Sequence, residues 1–253
     1  MFQTISVIIS KKIISDQIHL ISFESNELVR EAKPGQFINI RVTSGLFPYL
    51  RRPFSICEVN GNTFSILFSV FGMGTKTLAE ARVGDQFDVI GPLGNGFSID
   101  DEIENAIIVA GGLGSAPFPF LISKLDSKID VQSFVGARSK ELVISYKLKN
   151  VSIATDDGSL GKKMNVVQLL EENFSINNYP KKTKIFGCGP TPMLKALSKF
   201  AIDKNINCEV STECAMACGF GICQGCPIES SNGEQYYLVC KDGPVFNVKD
   251  VKI

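Results

Sequence analysis

Apolar and polar residues alternate in short runs through the first hundred residues of the chain. The runs are FQTISVIISK (2–11), QIHLISFE (17–24), GQFINIRV (35–42), FSICEV (54–59) and TFSILFSV (63–70). Turn-forming Gly, Asn, Pro or Asp residues separate them. A period of two indicates strands with one buried face, and short strands at this spacing are typical of a small antiparallel barrel. We therefore predict that residues 1–100 form such a barrel, with one helix inside GTKTLAEARVG at 74–84.

A different pattern begins near residue 103. Continuous apolar runs that predict strands buried on both faces alternate with runs of helical period. The predicted strands are NAIIVAGG (105–112), DVQSFVGA (130–137), VSIATDD (151–157) and KTKIFGCG (182–189). The predicted helices are APFPFLISKLD (116–126), NVVQLLEENF (165–174) and TPMLKALSKFAIDKN (191–205). This alternation predicts a doubly wound α/β domain with a parallel sheet at 101–207, and residues 208–253 then form a small Cys-rich module.

Composition narrows the class of protein. Lys and Arg together number 26, as do Asp and Glu, so binding to nucleic acid through phosphate neutralisation is disfavoured. The N-terminal residues have no secretory signal pattern, and no uninterrupted apolar stretch reaches the roughly 18 residues that cross a bilayer. We expect a soluble cytoplasmic protein, in which the eight cysteines do not form structural disulfides.

The cysteines of the last domain follow a recognisable spacing. Cys218, Cys223 and Cys226 form Cys–x4–Cys–x2–Cys, and Cys240 follows after thirteen more residues. Plant-type 2Fe–2S sites have this spacing, and the interleaved glycines allow backbone N–H groups to approach sulfur. We predict a 2Fe–2S cluster on these four cysteines.

Zinc is the alternative metal for this segment. Its ligands would be Cys214 with Cys218, Cys223 and Cys226, although zinc knuckles usually pair two Cys–x2–Cys units and only one is present. In the preferred interpretation Cys57, Cys208 and Cys214 are structural, because free cysteine is commonly buried.

Two stretches of the predicted barrel suit a flavin. In LRRPFSI (50–56) Arg52 offers a planar fork to a phosphate, while Phe54 and Ser55 point to opposite faces of the strand. In LFSVFGMGT (67–75) Gly74 and Thr75 stand at a predicted helix N-terminus, which favours a pyrophosphate. Alone, the first stretch could equally be an edge strand with a solvated arginine.

Glycines also mark two strand ends of the predicted sheet domain. Gly111, Gly112 and Gly114 lie between a buried strand and a helix, where a dinucleotide can approach the backbone closely. The stretch from Cys188 to Pro190 repeats the arrangement at a later strand end. An ordinary tight turn, with Cys188 as a buried thiol, is the alternative.

Together these segments resemble the ferredoxin reductase superfamily, in which a flavin-binding barrel precedes a nicotinamide-binding domain. More closely, the chain resembles the electron-transfer (iron–sulfur flavoprotein) subunits of type B, NAD-dependent dihydroorotate dehydrogenases. The segments that carry the resemblance, in the family's order, are PGQFINI, RRPFSI, GMGT, GPLGNGF, AGGLGSAP, TDDGSLG, FGCGPTPML, CGFGICQGC and VCKDGPVF.

The resemblance implies three cofactor or substrate sites. FAD would be held by Arg52, Pro53, Phe54, Ser55, Leu67, Phe68, Ser69, Gly74 and Thr75. NAD would face Gly111, Gly112 and Gly114, with Cys188, Gly189 and Pro190 near the nicotinamide. The cluster would be ligated by Cys218, Cys223, Cys226 and Cys240. Two positions depart from the wider superfamily, since Phe54 lacks a tyrosine hydroxyl and Ser69 stands where a basic residue is expected.

What the resemblance implies about function is electron transfer. The partner would be an FMN-containing subunit that oxidises dihydroorotate, and the two chains would form a two-plus-two heterotetramer. Electrons would cross through the cluster and FAD to NAD+, in pyrimidine (UMP) biosynthesis. Because the cofactors perform the chemistry, no residue of this chain is expected to act as a general acid or base. Arg138 leaves the choice between NAD and NADP open, since an arginine after the second strand can meet a 2′-phosphate.

Two other functions fit parts of the sequence. One is an FAD and 2Fe–2S subunit of a larger complex that acts on ferredoxin, NADP or sulfur compounds. The other is a zinc-stabilised binding module without a redox role.

Overall fold

A closed antiparallel barrel forms the first part of the protein. The structure is a computed structural model, and it describes residues 1–15, 17–99, 102–176, 179 and 182–253. Its strands are β1 (Phe2–Ser15), β2 (Ile18–Glu24), β3 (Phe37–Arg41), β4 (Arg52–Asn60), β5 (Thr63–Ser69) and β6 (Gln86–Leu93). They close in the order β1-β2-β5-β4-β3-β6, with helix α1 (Asn26–Glu31) after β2 and helix α2 (Met73–Glu80) after β5. The predicted barrel is confirmed.

Period-two alternation explains how the barrel closes around its core. Inward-facing Ile, Phe, Val and Leu side chains fill it, and three of its phenylalanines, Phe23, Phe64 and Phe68, are at most 1% exposed. Strand β6 was missed by the sequence prediction. Its inward Phe87 and Val89 alternate with polar Gln86 and Asp88, but the run is short and ends in a Gly–Pro pair.

The second part is a seven-stranded sheet with helices packed against it. Its elements are β7 (Asn105–Gly111), α3 (Phe118–Lys124), β8 (Asp130–Ala137), β9 (Val151–Thr155), β10 (Lys162–Lys163), α4 (Val166–Ile176), β11 (Thr183–Cys188), α5 (Thr191–Asp203), β12 (Asn207–Ser211) and β15 (Val245–Asn247). The order is β10-β9-β8-β7-β11-β12-β15, and every pair except β12–β15 is parallel. The predicted parallel α/β fold is confirmed.

The Cys-rich tail is tied to this sheet at both ends. Strand β12 continues the parallel sheet, and β15 returns antiparallel beside it. Between them lies a segment with a two-stranded hairpin, β13 (Pro227–Glu229) and β14 (Tyr236–Leu238). The predicted boundary at 207–208 therefore lies inside β12, and the boundary at 100–101 lies outside the described residues.

No helix in the described part of the chain combines the length and the apolar character that a membrane span requires.

A buried ion pair joins the barrel's exit segment to the sheet. The Lys184 ammonium on β11 lies 3.1 Å from Glu209 on β12 and 2.8 Å from the backbone carbonyl oxygen of Ser98, which follows the barrel. Its side chain is only 2% exposed, and the Ser98 N–H donates to Glu209 at 2.9 Å. Because the Lys184 and Glu209 charges compensate each other, removing either one would leave the other buried without a counter-ion.

We expect Lys184→Met to lower the free energy of unfolding by about 3 kcal/mol, because Glu209 would lose its counter-ion in a largely buried position. Lys182→Met is the matched control, since Lys182 pairs with Glu104 at 3.6 Å with both side chains at least half exposed. Loss of that pair should cost less than about 1 kcal/mol. Urea denaturation measures the free energy of unfolding of both variants. Equal losses in the two would contradict the view that the buried Lys184–Glu209 pair stabilises the fold more than the exposed pair does.

Candidate functional site

The four predicted cluster cysteines converge on one loop and one returning strand end. Cys226 and Cys240 are buried, Cys218 is half-buried and Cys223 is exposed. The Cys226 and Cys240 sulfurs are 3.1 Å apart, and the Cys218 sulfur accepts the Cys223 N–H at 3.5 Å. The Cys223 side chain also hydrogen-bonds to Cys218, so the thiols fall in two pairs, 218 with 223 and 226 with 240. No three His, Cys, Asp or Glu side chains of the described residues converge on one point as a single metal ion requires.

Backbone N–H groups make one of these thiols unusually acidic. Burial raises the pKa of Cys218, but N–H donation from Cys223 and Phe220 outweighs it and lowers that pKa to about 6. Burial and the neighbouring Cys226 thiol raise the pKa of Cys240 to about 12. The loop therefore already stabilises negative charge at one of the four sulfurs.

A fifth thiol, Cys214, lies beside this group. Burial, followed by the charges of Cys226 and Cys223, raises its pKa to about 12. Sequence reasoning treats Cys214 as structural, and the structure places it within reach of Cys226. The zinc alternative uses this thiol, so proximity alone does not separate the two metals.

The flavin candidates from two separate motifs meet at the start of α2. A Cβ atom on Gly74 would lie 3.2 Å from both Cγ and Nε of Arg52, so the helix backbone is in contact with the arginine. The Thr75 hydroxyl accepts the N–H groups of Phe71 at 2.9 Å and Gly72 at 3.0 Å, which fixes the turn before the helix. The remaining N–H groups of the first helical turn have no intrahelical acceptor.

The rest of the flavin set divides between the two faces of its strands. Phe54 and Phe68 point into the barrel and pack at 5.6 Å between ring centroids. Leu67 points outward and packs against Ala116 of the sheet domain. Ser55 is half-buried on the outward face, opposite Phe37 on β3. Pro53 and Ser69 lie on the same two strands and are exposed and half-buried, respectively.

Large apolar side chains in the segments just before β4 and α2 are exposed. Leu46, Phe47 and Tyr49 precede the flavin strand, and Phe71, before α2, is 95% exposed.

The nucleotide candidates meet at the switch point of the parallel sheet. Strands β7 and β11 are neighbours, and the chain order reverses between them, which is where open α/β sheets bind ligands. Gly114 is packed so closely that a Cβ atom would overlap the Cys188 carbonyl oxygen. A Cβ atom on Gly111 would similarly overlap the Pro190 ring, and the Gly189 backbone lies against Gly111. Gly112 adopts φ +53° with open space around its Cα.

Sequence reasoning missed Glu213 at this edge. It follows β12, and its carboxylate contributes, after burial, to raising the pKa of Cys188 to about 12. Burial also raises the pKa of Glu213 itself. No local signal marks it, because the sequence pattern predicts no strand directly before it.

Comparison with known proteins agrees with this arrangement. Residues 213–252 match the iron–sulfur cluster binding domain of dihydroorotate dehydrogenase B. The chain is 35% identical over 247 residues to the dihydroorotate dehydrogenase B (NAD(+)) electron transfer subunit of Caldanaerobacter subterraneus subsp. tengcongensis, covering 96% of each chain. It is 34% identical to the subunit of the same name from Bacillus cereus strain G9842, covering 97% of this chain and 96% of that one. The chain belongs to the family of dihydroorotate dehydrogenase B electron transfer subunits.

Solved structures support the fold of this family member. An NADH-dependent reduced ferredoxin-NADP oxidoreductase superposes with a TM-score of 0.85 at 27% identity, covering 98% of this chain and 90% of that one. The cytochrome b5 reductase domain of Ulva prolifera nitrate reductase superposes with a TM-score of 0.62 at 17% identity, covering 81% and 92%. The predicted family and fold class are both confirmed.

The acidic thiol can be tested in cofactor-free, reduced protein. We expect alkylation of Cys218 by iodoacetamide to show a half-maximal rate near pH 6, because its thiolate is lost only below the lowered pKa. Quantitative peptide mass spectrometry across pH 5–9 measures the profile, with glutathione as the reference thiol. A midpoint near the ordinary cysteine value of about 8.5 would contradict the hydrogen-bond assignment.

Proposed function

We propose that this chain binds FAD and a 2Fe–2S cluster and passes electrons from a dihydroorotate-oxidising, FMN-containing catalytic subunit to NAD+. The observation that carries the proposal is the presence of three candidate sites in one member of this family. The relatives' name supplies the donor reaction and NAD+. When both are bound to one chain, FAD and a 2Fe–2S cluster would convert between one-electron transfer and two-electron hydride transfer.

Cys218, Cys223, Cys226 and Cys240 are the proposed cluster ligands. Their arrangement as two pairs suits two metal atoms, each held by two thiolates. The N–H groups of Phe220, Cys223 and Cys240 donate to these sulfurs at 3.4–3.5 Å, which offsets the repulsion between neighbouring thiolates. These observations favour the cluster over a single zinc ion.

Arg52 and the first turn of α2 are the proposed phosphate-binding corner for FAD. The arginine is positioned by donation from Nη1 to the Leu50 carbonyl oxygen at 2.8 Å, and the helix N-terminus adds backbone N–H groups. Ser55 offers a hydroxyl on the outward face, while Phe54 and Phe68 lie in the barrel core and support the two flavin strands from behind. Pro53, Leu67, Ser69, Gly74 and Thr75 complete the proposed set.

The crevice between β7 and β11 is the proposed nicotinamide site. Gly112 leaves its backbone open to the dinucleotide, while Gly111 and Gly114 allow the end of β7 to pack directly against Cys188 to Pro190, which complete the proposed set. Glu213 adds a carboxyl group close to Cys188 at this edge of the sheet.

A catalytic partner subunit is implied by the family name, and we propose that the two chains form a two-plus-two heterotetramer. The cluster loop can meet such a partner, since Ile222 is 76% exposed and the adjoining Cys223 is also exposed. All eight cysteines are free thiols, which supports the proposal that the protein works in a reducing cytoplasm.

A subunit of a ferredoxin- and NADP-linked complex is the second candidate function. It is favoured by the likeness to the NADH-dependent reduced ferredoxin-NADP oxidoreductase, which covers nearly the whole chain. Copurification distinguishes the two, because a small FMN-binding partner supports the first function and a large multi-cluster partner the second.

The proposed function predicts that the chain, purified anaerobically with its FMN partner, reduces NAD+ when given dihydroorotate. Cys223→Ser should abolish this activity while NADH-dependent reduction of a soluble dye through FAD continues, because only the cluster loses a ligand. Cys208→Ala is the control, since Cys208 is a fully buried thiol of the sheet core. Unchanged dihydroorotate-dependent activity in Cys223→Ser would contradict the proposal.

Removing the proposed phosphate fork should weaken flavin binding. We expect Arg52→Ala to lower the affinity for FAD by about ten- to a hundredfold, the range for hydrogen bonds to charged groups. Arg30→Ala is the matched control, because Arg30 is a highly exposed arginine on α1. Titration of flavin-free protein, followed by the quenching of flavin fluorescence, measures both affinities, and equal values would exclude Arg52 from the site.

A further inference from the structure

Strand β3 separates the candidate flavin strand from the cysteine loop, and its residues alternate between the two. Ile38 and Ile40 point into the barrel core and are fully buried. The side chains that alternate with them, Phe37 and Asn39, point outward. On the neighbouring β4 they lie opposite Ser55 and Pro53, both proposed FAD residues.

The outward face of β3 is covered by the cluster module. Phe37, together with Leu93 of β6, packs in one apolar cluster with Cys226 and Cys240. Two residues further along β3, the Asn39 amide donates from Nδ2 to the Cys218 carbonyl oxygen at 3.1 Å. Three of the four proposed cluster ligands are therefore held against the strand that borders the flavin strand.

The contact at Asn39 requires a specific loop conformation. Gly219, which follows Cys218, has φ +81°, and a Cβ atom there would overlap the Asn39 amide nitrogen. Only glycine allows the loop backbone to rest directly on this side chain.

Stability alone does not account for an asparagine at this position. Asn39 is 1% exposed, and its Oδ1 has no hydrogen-bond partner among the described residues. A buried unsatisfied acceptor costs about as much as the Nδ2 hydrogen bond contributes. A leucine of similar size would remove the unsatisfied acceptor and would lose only the hydrogen bond to the Cys218 carbonyl oxygen.

We propose that Asn39 is a positioning residue that fixes the Cys218 end of the cluster loop relative to the flavin strand, and so sets the rate of electron transfer between the two cofactors. The proposal rests on the proposed function, because it deepens the role of the same site. Asn39 does not ligate iron and does not touch the reacting atoms. It acts through the backbone of Cys218.

The test compares Asn39→Leu with wild-type holoprotein. FAD and iron content, the electron paramagnetic resonance spectrum of the reduced cluster, and the rate at which NADH reduces the cluster in stopped flow are measured. We expect Asn39→Leu to retain both cofactors, to show shifted or broadened cluster resonances, and to slow cluster reduction by about tenfold or more, as small misplacements of reacting groups do. NADH-dependent dye reduction through FAD should be unchanged.

Asn95→Leu is the matched control. Asn95 makes the same kind of contact, from Nδ2 to the Asp242 carbonyl oxygen at 2.9 Å, but it is exposed and reaches no ligand cysteine. Wild-type resonances and rates in Asn39→Leu would overturn the proposal, as would equal changes in both variants.

If Asn39→Leu does not retain its cofactors, Asn39→Asp is compared in its place. This variant keeps the shape of the side chain and removes the Nδ2 donor. Shifted cluster resonances with slower cluster reduction would support the proposal, and wild-type resonances and rates would overturn it. Failure of the proposed function would appear in wild-type protein, as a cluster that NADH does not reduce. Failure of the inference would appear only in the variants.

Discussion

Five residues of strand β3 have to satisfy two environments at once, and the spatial relation between the candidate sites depends on them. The inward isoleucines close the barrel core, whereas Phe37 and Asn39 carry the cluster module on the outside. A shift of one residue in register would exchange the two faces, burying the amide in the barrel and exposing the isoleucines. The pairing of β3 with β4 therefore fixes both the flavin strand and the surface on which the cysteine loop lies.

The cysteine loop shows how a short segment is shaped around a ligand rather than around a hydrophobic core. Its sulfurs are brought together despite mutual repulsion, with backbone N–H groups and positive-φ residues making the approach possible. The loop is anchored on one side by β12 and β15 of the sheet and on the other by the barrel. A proposed metal site built on such a loop receives its rigidity from both larger parts of the protein.

Sequence periodicity anticipated most of the architecture, since continuous apolar runs such as that of β7 and alternating runs such as that of β5 are unambiguous. It missed β6, where the Gly–Pro pair interrupts the run, and it placed a boundary inside β12, because that strand is too short for its period to be read. The cysteine spacing predicted which thiols come together.

Long-range contacts were beyond the reach of periodicity. Asn39 and Cys218 are 179 residues apart, and nothing in the local pattern of PGQFINI marks its asparagine as a contact of the cysteine loop. Glu213 was missed for the same reason, since only the parallel pairing of β11 with β12 brings it beside Cys188. Such contacts arise only in the tertiary structure and carry no signal in their own segment.

The central claim is that one chain holds an iron–sulfur cluster beside a flavin, and the metal and flavin content of wild-type protein tests it most directly. The chain alone would be purified without oxygen and analysed for iron, acid-labile sulfide, zinc and flavin. The account predicts about two iron atoms, two sulfides and one FAD for each chain. Zinc at one atom per chain, with neither iron nor flavin, would contradict it.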